Sequence, residues 1–332
     1  MYFSIVIPVY NRPAEIDEFL ASIVRQDYSQ DFEIIIIEDG STVKSEEVAM
    51  RYKDRLAISY FYKENTGPGD SRNYGMQKAK GDYFIIFDSD CIIPEHYLSN
   101  VAQSLNTNYV DFFGGPDQAL QSFSDIQKAI NFSMTSFLTT GGIRGGSEKL
   151  NKFQPRSFNM GLSRKAFQTS GGFSNIHPGE DPDLTIRLWE LGFKSKLISD
   201  AYVYHKRRID WDKFALQANK FGKARPILDS WHPHYQKITF FFPSVFLIGF
   251  YVSIGLLFFV QDFIFKLYCL YFFLIFLISS IQNRSIVIGF LSIVATWIQF
   301  RSYGHGFLLS FFKIRIKKVE PQEAFPELFF KK

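Results

Sequence analysis

The sequence predicts an α/β protein, a mostly parallel sheet with helices on both faces, followed by helices that cross a membrane. Three observations carry this. Apolar runs alternate with stretches of helical spacing between residues 4 and 87, the pattern of successive βαβ units. Tyr83-Phe84-Ile85-Ile86-Phe87 is apolar throughout and too short for a typical helix, so it reads as a strand buried on both faces. Beyond residue 238 the composition changes: the chain has 38 Phe, and 20 of them lie there.

Ser4-Ile5-Val6-Ile7-Pro8 is the first strand. Residues 13–27 follow as a helix with Ile16, Phe19, Leu20, Ile23 and Val24 on one face. Glu33 to Glu38 forms the second strand, and Asp39-Gly40-Ser41 turns out of it. Residues 43–55 suggest a second helix, Ile58 to Tyr62 a third strand, and residues 70–79 a third helix ahead of the strand at 83–87. Further on, Ile186, Leu188, Trp189 and Leu191 mark an amphipathic helix, and Ala201-Tyr202-Val203-Tyr204 is strand-like.

Residues 239–260 hold no charge over 22 positions, enough to span a bilayer. Residues 263–281 are nearly as apolar, with Lys266 placed to snorkel, and 286–300 form a third, shorter stretch. Met1-Tyr2-Phe3 runs straight into a strand with no signal peptide, so residues 1–238 are expected in the cytosol. The setting is then the cell inner (cytoplasmic) membrane, crossed more than once. Seven Lys or Arg against two Asp between Lys206 and Arg225 give the cytoplasmic excess of positive-inside topology. Lys313, Arg315, Lys317 and Lys318 favour a cytoplasmic tail at 313–332. That wants an even number of crossings, which leaves two or three spans open, with residues 286–312 partly interfacial as one solution.

The net charge of +4 is explained by the basic stretch beside the membrane, and no nucleic-acid-binding signature accompanies it. Cys91 and Cys269 imply no disulfide framework. Gly67-Pro68-Gly69 lacks the third glycine of a dinucleotide fingerprint, and no Gly-Lys-Ser/Thr of a P-loop occurs. Gly141 to Gly146 reads as a surface loop or lid. A transporter is disfavoured, because the apolar stretches hold no acidic residue.

Three strand ends carry polar groups: Pro8-Val9-Tyr10-Asn11-Arg12, Glu38-Asp39-Gly40-Ser41 and Asp88-Ser89-Asp90. On a parallel sheet they open onto one edge, where ligands of open α/β sheets bind. Tyr10 can stack on a base, Asp39 can accept from a base N–H, and Arg72 can meet a phosphate. Two close carboxylates suit a hard divalent cation that also grips phosphate oxygens. A metal on Asp90 would neutralise a diphosphate leaving group. An Asp-rich turn that caps a helix opened by Pro94-Glu95 is the plainer reading of the D-x-D alone.

With these residues in view, the chain resembles the membrane-anchored bacterial glycosyltransferases of family 2, which have the GT-A (Rossmann-like) fold. The resemblance runs from Ser4 to about His205. It rests on Ser4 to Asn11, Glu38-Asp39-Gly40-Ser41, Ser71-Arg72-Asn73-Tyr74-Gly75, Asp88-Ser89-Asp90 and Gly179-Glu180-Asp181. It implies that Pro8, Tyr10 and Asp39 contact the nucleobase and Arg72 the nucleotide. Asp88 would face ribose or sugar, with Arg12 and Ser89 counted in the same nucleotide-sugar site. Asp90 would bind Mg²⁺ or Mn²⁺, His205 is a further candidate ligand, and Glu180-Asp181 would supply the base. The family usually has Asp-Asp-Gly-Ser where this chain has Glu38, whose role is left open. About 1–115 would form the nucleotide-binding half, 116–238 the acceptor half, and 239–312 the membrane helices.

Direct displacement at an anomeric carbon needs a base for the acceptor hydroxyl proton and stabilisation of the departing diphosphate. Asp181 is favoured as that base, with Glu180 second, and a single displacement inverts the centre. Asp183 reads as an acid favoured at a helix start. Asn159 is a sugar contact or a turn residue. Arg207, Arg208 and Trp211 meet a diphosphate, an acceptor phosphate or lipid headgroups. Processive synthases carry Gln-x-x-Arg-Trp where this chain has Arg208-Ile209-Asp210-Trp211, so single addition is expected. The donor would be a nucleotide-diphosphate sugar, with UDP-sugar first, and the acceptor lipid-linked or a glycan at the cytoplasmic face. The alternatives are a processive polysaccharide synthase and a non-catalytic nucleotide-sugar-binding membrane scaffold.

Overall fold

The structure is a computed structural model that describes residues 1–118, 123–140, 153–205, 210–259 and 262–330. The expected loop at 141–146 and the pair Arg207-Arg208 lie outside the described residues.

By packing, the chain divides into two compact units, residues 1–120 with 146–206 and 329–332, and residues 121–145 with 207–328. In the first unit the chain runs β1 (Phe3–Val9), α1 (Pro13–Ile23), β2 (Phe32–Asp39), α2 (Glu46–Met50), β3 (Ile58–Lys63), α3 (Pro68–Lys78) and β4 (Tyr83–Phe87). It continues through β5 (Cys91–Ile92), α4 (Tyr97–Thr107), β6 (Phe112–Gly114) and β7 (Asp117–Gln118). After the second unit's α5 (Asp125–Thr135) and α6 (Phe137–Thr140), it returns with β8 (Asn159–Ser163), α7 (Arg164–Ser170), α8 (Glu180–Glu190), β9 (Ser195–Leu197) and β10 (Val203–His205).

The main sheet has seven strands in the order β3-β2-β1-β4-β8-β6-β9. β3, β2, β1 and β4 are mutually parallel, while β8 is antiparallel to both β4 and β6. Alternate residues of a strand face opposite sides, so a doubly buried strand serves two cores. Ile5, Ile7, Ile34, Ile36, Ile85 and Phe87 pack against Ile16, Phe19 and Leu20 of α1 and Leu98 and Val101 of α4. Val6, Ile35, Ile37, Phe84 and Ile86 pack on the other face against Met76 of α3, Phe167 of α7 and Leu184 and Leu188 of α8. The expected helices on both faces are thus present. A second sheet, β5-β10-β7, sets Cys91 opposite His205.

Two helices are shorter than the sequence suggests. α1 stops at Ile23, because Gln26 and Asp27 are drawn out to the 94–95 loop: Gln26 Nε2 donates to the Pro94 carbonyl and the Asp27 N–H to that of Glu95. α2 covers only Glu46–Met50; beyond it the chain tightens into turns closed by three-residue hydrogen bonds, Tyr52 N–H to the Ala49 carbonyl and Arg55 N–H to that of Tyr52, which still bury Tyr52 and Leu56.

The second unit adds α9 (Trp211–Trp231), α10 (Phe242–Leu257), α11 (Phe263–Asn283) and α12 (Ile286–Ser310) to α5 and α6. Among the described residues three helical segments are long and apolar enough to cross a membrane: Ile238–Leu257, Phe263–Asn283 and Ile286–Ile316. The third stretch therefore makes a full-length helix, because Arg301 and His305 sit on its exposed side without breaking it. Glycines let the helices approach closely. Gly222 of α9 lies against the Tyr303 backbone, Gly306 against Asn219, and Gly289 against Ser280, each without room for a Cβ. Small residues at such contacts are how membrane helices pack.

Candidate active site

The strand order reverses at β1. The chain steps outward to β2 and β3, then returns to β4 on the other side of β1. β1 pairs with β2 through Val9 but with β4 only through Val6. Pro8, which has no N–H to give, falls where β1 and β4 have parted. The crevice between diverging strands at such a switch point is where doubly wound sheets take ligands. Pro8 to Arg12 form one bank and Asp88 to Asp90 the other.

On the β1 side Tyr10 stands 52% exposed, its ring free to stack. Asn11 adopts a left-handed conformation (φ 53°) and its Oδ1 accepts from the N–H groups of Thr42 and Val43 at 2.9 and 3.0 Å. That fixes the loop after β2. Glu38 is wholly buried and structural. Its carboxylate accepts from Ser41 Oγ, from the Ser45 N–H at 2.8 Å and from Tyr60 Oη at 2.9 Å. The neighbouring Asp39 points the other way along the pleat. Its Oδ1 accepts from Lys63 Nζ at 2.6 Å and the Thr66 N–H at 3.0 Å, and its Oδ2 from the Gly67 N–H at 3.0 Å.

On the β4 side Asp88 is partly open, Ser89 is buried, and Asp90 is nearly closed off. Arg72, a candidate contact for phosphate, is buried, with Nη2 at 2.7 Å from Asp88 Oδ1 and Nη1 at 3.1 Å from Glu180 Oε1. One guanidinium thereby joins the D-x-D turn to the start of α8. Arg12 is also committed, with Nη1 at 2.6 Å from Asp90 Oδ2. His205 Nε2 lies 3.2 Å from Asp90 Oδ1, and its ring stacks on Phe158 at 4.7 Å. Burial resists charge on Asp90, but His205 and Arg12 outweigh it and hold the carboxyl well below its ordinary range.

These residues suit a divalent cation. Among the described residues His205 Nδ1 is buried without a hydrogen-bond partner, and Asp90 Oδ1 faces the other ring nitrogen of His205 at 3.2 Å. Donor atoms of Asp90, Cys91 and His205 all fall within 4.8 Å of one another. Carboxylate oxygen with imidazole nitrogen fits Mn²⁺ better than the all-oxygen shell that Mg²⁺ prefers. The Cys91 thiol points to the Phe158 carbonyl at 3.5 Å, and burial pushes it well above its ordinary pKa.

Glu180 and Asp181 open α8, at the positive end of its dipole. Glu180 accepts from Arg72, from the Gly179 N–H at 3.0 Å, and faces His177 Nδ1 at 2.9 Å. Burial opposes its charge, yet His177 and Arg72 prevail and bring it down to about 2. Among the described residues Asp181 forms its ion pair with Arg156, whose Nη1 is 3.7 Å away. Burial raises its pKa, with Arg156 pulling against and the charge of Glu180 adding to the rise. Asp183 is held by Arg187 at 2.8 Å, a structural pair. Asn159 is structural too: buried in β8, it accepts from Tyr97 Oη at 2.5 Å and donates to the Ala201 carbonyl at 2.8 Å.

Sequence reasoning missed Lys63, Arg156 and His177. Lys63 was within reach, since it ends β3 on the same sheet edge as the three polar strand ends that were read. Arg156 and His177 sit in loops with no local signal.

The family model for glycosyl transferase family 2 matches residues 4–171, just over half of the chain. An uncharacterized glycosyltransferase of Rickettsia typhi is 40% identical over 103 residues, covering 31% of this chain and 30% of that protein. The poly(ribitol-phosphate) beta-N-acetylglucosaminyltransferase TarS of Staphylococcus aureus is 30% identical over 114 residues, 33% of this chain and 20% of that one. The matches thus span less than a third of these relatives' own length. Among solved structures, TarS residues 1–349 in complex with UDP has a TM-score of 0.51 at 17% identity, covering 96% of this chain and 92% of that one. The mannosyltransferase PcManGT of Pyrobaculum calidifontis, in complex with GDP-Man and Mn²⁺, has a TM-score of 0.52 at 19% identity, covering 67% and 63%. At such identities the likeness is one of fold. The strand-end markers from Pro8 to Asp90 fall within the matched region, and the crevice they line is that of a GT-A sheet: this chain belongs to glycosyl transferase family 2.

Proposed function

We propose that the chain is an inverting glycosyltransferase. It moves one sugar from a nucleotide-diphosphate sugar, a UDP-sugar first, to a lipid-linked or glycan acceptor at the cytoplasmic face of the membrane. The observation that carries this reading is Arg72, which ties Asp88 on the donor side to Glu180 beside Asp181. Donor-binding and proton-accepting groups are thereby held in one frame. The crystal forms of TarS with UDP and with UDP-GlcNAc, and PcManGT with GDP-Man, make a nucleotide sugar the natural donor.

In this mechanism Tyr10 stacks on the base, Pro8 keeps the crevice open, and Asp39 accepts from a base N–H with the free lone pair of Oδ2. Asp88 faces the ribose or sugar, and Ser89 shapes the turn between the two carboxylates. Asp90 and His205 would hold a divalent cation, Mg²⁺ or Mn²⁺, which would supply positive charge to the departing diphosphate. Arg12 leaves Asp90 for the diphosphate oxygens as the donor arrives. Asp181 accepts the acceptor hydroxyl proton. The acceptor oxygen bonds to the anomeric carbon from one face, the carbon–oxygen bond to the diphosphate breaks on the other, and the configuration inverts. Residues 1–115 keep the nucleotide role and 116–238 the acceptor role, with the apolar helices as anchor and the catalytic unit in the cytosol.

The test is the full chain in detergent or nanodiscs, incubated with UDP-, GDP- and CDP-sugars and Mn²⁺ or Mg²⁺. Release of nucleoside diphosphate from one donor class, abolished by chelator, is the expected result. No release from any donor with either ion rejects the reading.

A further inference from the structure

Residues 329–330, which follow the apolar helices in sequence, belong to the catalytic unit and not to the helical one. Phe329 bridges Ile176 in antiparallel fashion, and Asn175 Nδ2 donates to the Phe330 carbonyl at 2.7 Å. The Phe330 ring then lies against two loops. On one side it covers Gly67, which has φ +91° and no room for a Cβ beside the ring. The Gly67 N–H closes on Asp39 Oδ2. On the other side the ring is 6.1 Å from that of His177, whose Nδ1 holds Glu180.

We propose that Phe329–Phe330 is a strap, and that Phe330 is a positioning residue for both the donor-binding loop 65–67 and the His177–Glu180 pair. This rests on the glycosyltransferase reading for what is positioned, but not for the contact. One aromatic ring restrains two loops whose backbone and side-chain donors are spent on site carboxylates. A group that touches neither donor nor acceptor then sets how well both are held.

The experiment uses the full chain in nanodiscs with Phe330→Ala, Phe330→Leu and Phe330→Tyr. Amide hydrogen exchange is followed in peptides covering 64–68 and 174–180, alongside donor KM and kcat. In Phe330→Ala, exchange in both loops should quicken and donor kcat/KM should fall on the order of tenfold, mostly through KM. Phe330→Tyr, which keeps the ring, should restore both. Should Phe330→Ala not fold, Phe330→Leu carries the same two readings at smaller size. Unchanged exchange in both loops overturns the strap whatever the turnover does. Faster exchange in a protein that turns over no nucleotide sugar upholds the strap and rejects the donor chemistry instead.

Discussion

Replacing Arg72 with Met keeps the length of the side chain and deletes the charge that joins Asp88 to Glu180. The guanidinium and the Glu180 carboxylate are only 3% and 4% exposed, so the pair cannot be rescued by water. Breaking a buried pair from one side costs about 3–5 kcal/mol. Asp88 is one-third exposed and adds little. His177 stays on Glu180 when Arg72 is gone and, against the cost of burial, still helps to hold the carboxyl below its ordinary range, so part of the stabilisation survives. The expected loss is therefore about 2–4 kcal/mol, a fall in Tm of about 5–15 °C for a unit of this size. The pH dependence sharpens the test. A depressed carboxyl contributes above about pH 4.5 and loses that contribution as pH falls through about 2. His177 is shifted up by Glu180 against the opposing effect of burial. Its contribution is full below about pH 6.5 and disappears as pH rises past its folded value. Above that value Arg72 is the remaining cation on Glu180, so Arg72→Met should cost more at pH 9 than at pH 6. Thermal unfolding at both pH values, with the Arg72→Met/Glu180→Gln double mutant, measures the coupling. A loss under about 1 kcal/mol at pH 9, or additive effects in the double mutant, would refute the bridge.

Asp181→Asn should lower kcat by a factor on the order of 10²–10⁴ with donor KM held, whereas Asp183→Asn should change stability and leave turnover nearly intact; steady-state kinetics on both decides. Asp90→Asn should lose Mn²⁺ affinity, read by calorimetry on the folded protein, and a wild-type affinity would remove it from the metal site. Glu38→Gln should cost about 1–3 kcal/mol of stability with donor KM unchanged, because it serves the turn and not the ligand. Arg156→Gln should move the acid limb of the pH–rate profile to higher pH, since Arg156 pulls the Asp181 pKa down; an unmoved limb would separate Arg156 from the base.

The four parallel strands β1 to β4 were legible because each is a largely apolar run that ends in polar residues, which brought Tyr10, Asp39 and Asp88 to one edge; β5 to β9, short or polar, were not. The neighbours Glu38 and Asp39 were not separable in sequence. Two acids in succession on a strand face opposite sides, and only the partners Tyr60 and Ser45 show which one is inside. The tie from Arg72 to Glu180 was not legible, because the two are 108 positions apart. Pairings across that distance follow from how α3 and α8 meet on one face of the sheet, which no local pattern records. The third apolar helix was underestimated for a related reason. Arg301 and His305 interrupt hydropathy, but the helix runs on because both lie on its exposed side.

Glu180 and Asp181 are adjacent, and both are buried at the start of the same helix. Their environments nonetheless push them apart. Glu180 has a guanidinium, an imidazole and a backbone N–H, which leave it anionic and tied in place. Among the described residues Asp181 faces Arg156 at 3.7 Å and a weaker pull from Arg72, against burial and the repulsion of its neighbour. A base must be able to gain a proton during the reaction and lose it afterwards. A carboxylate drawn down to about 2 holds its charge too firmly for that. Pairs of titratable groups driven in opposite directions mark the division between a fixed charge and a proton acceptor. By that criterion, in the mechanism proposed above, Glu180 orients and Asp181 accepts, with Arg72 and His177 keeping the first carboxylate out of the chemistry.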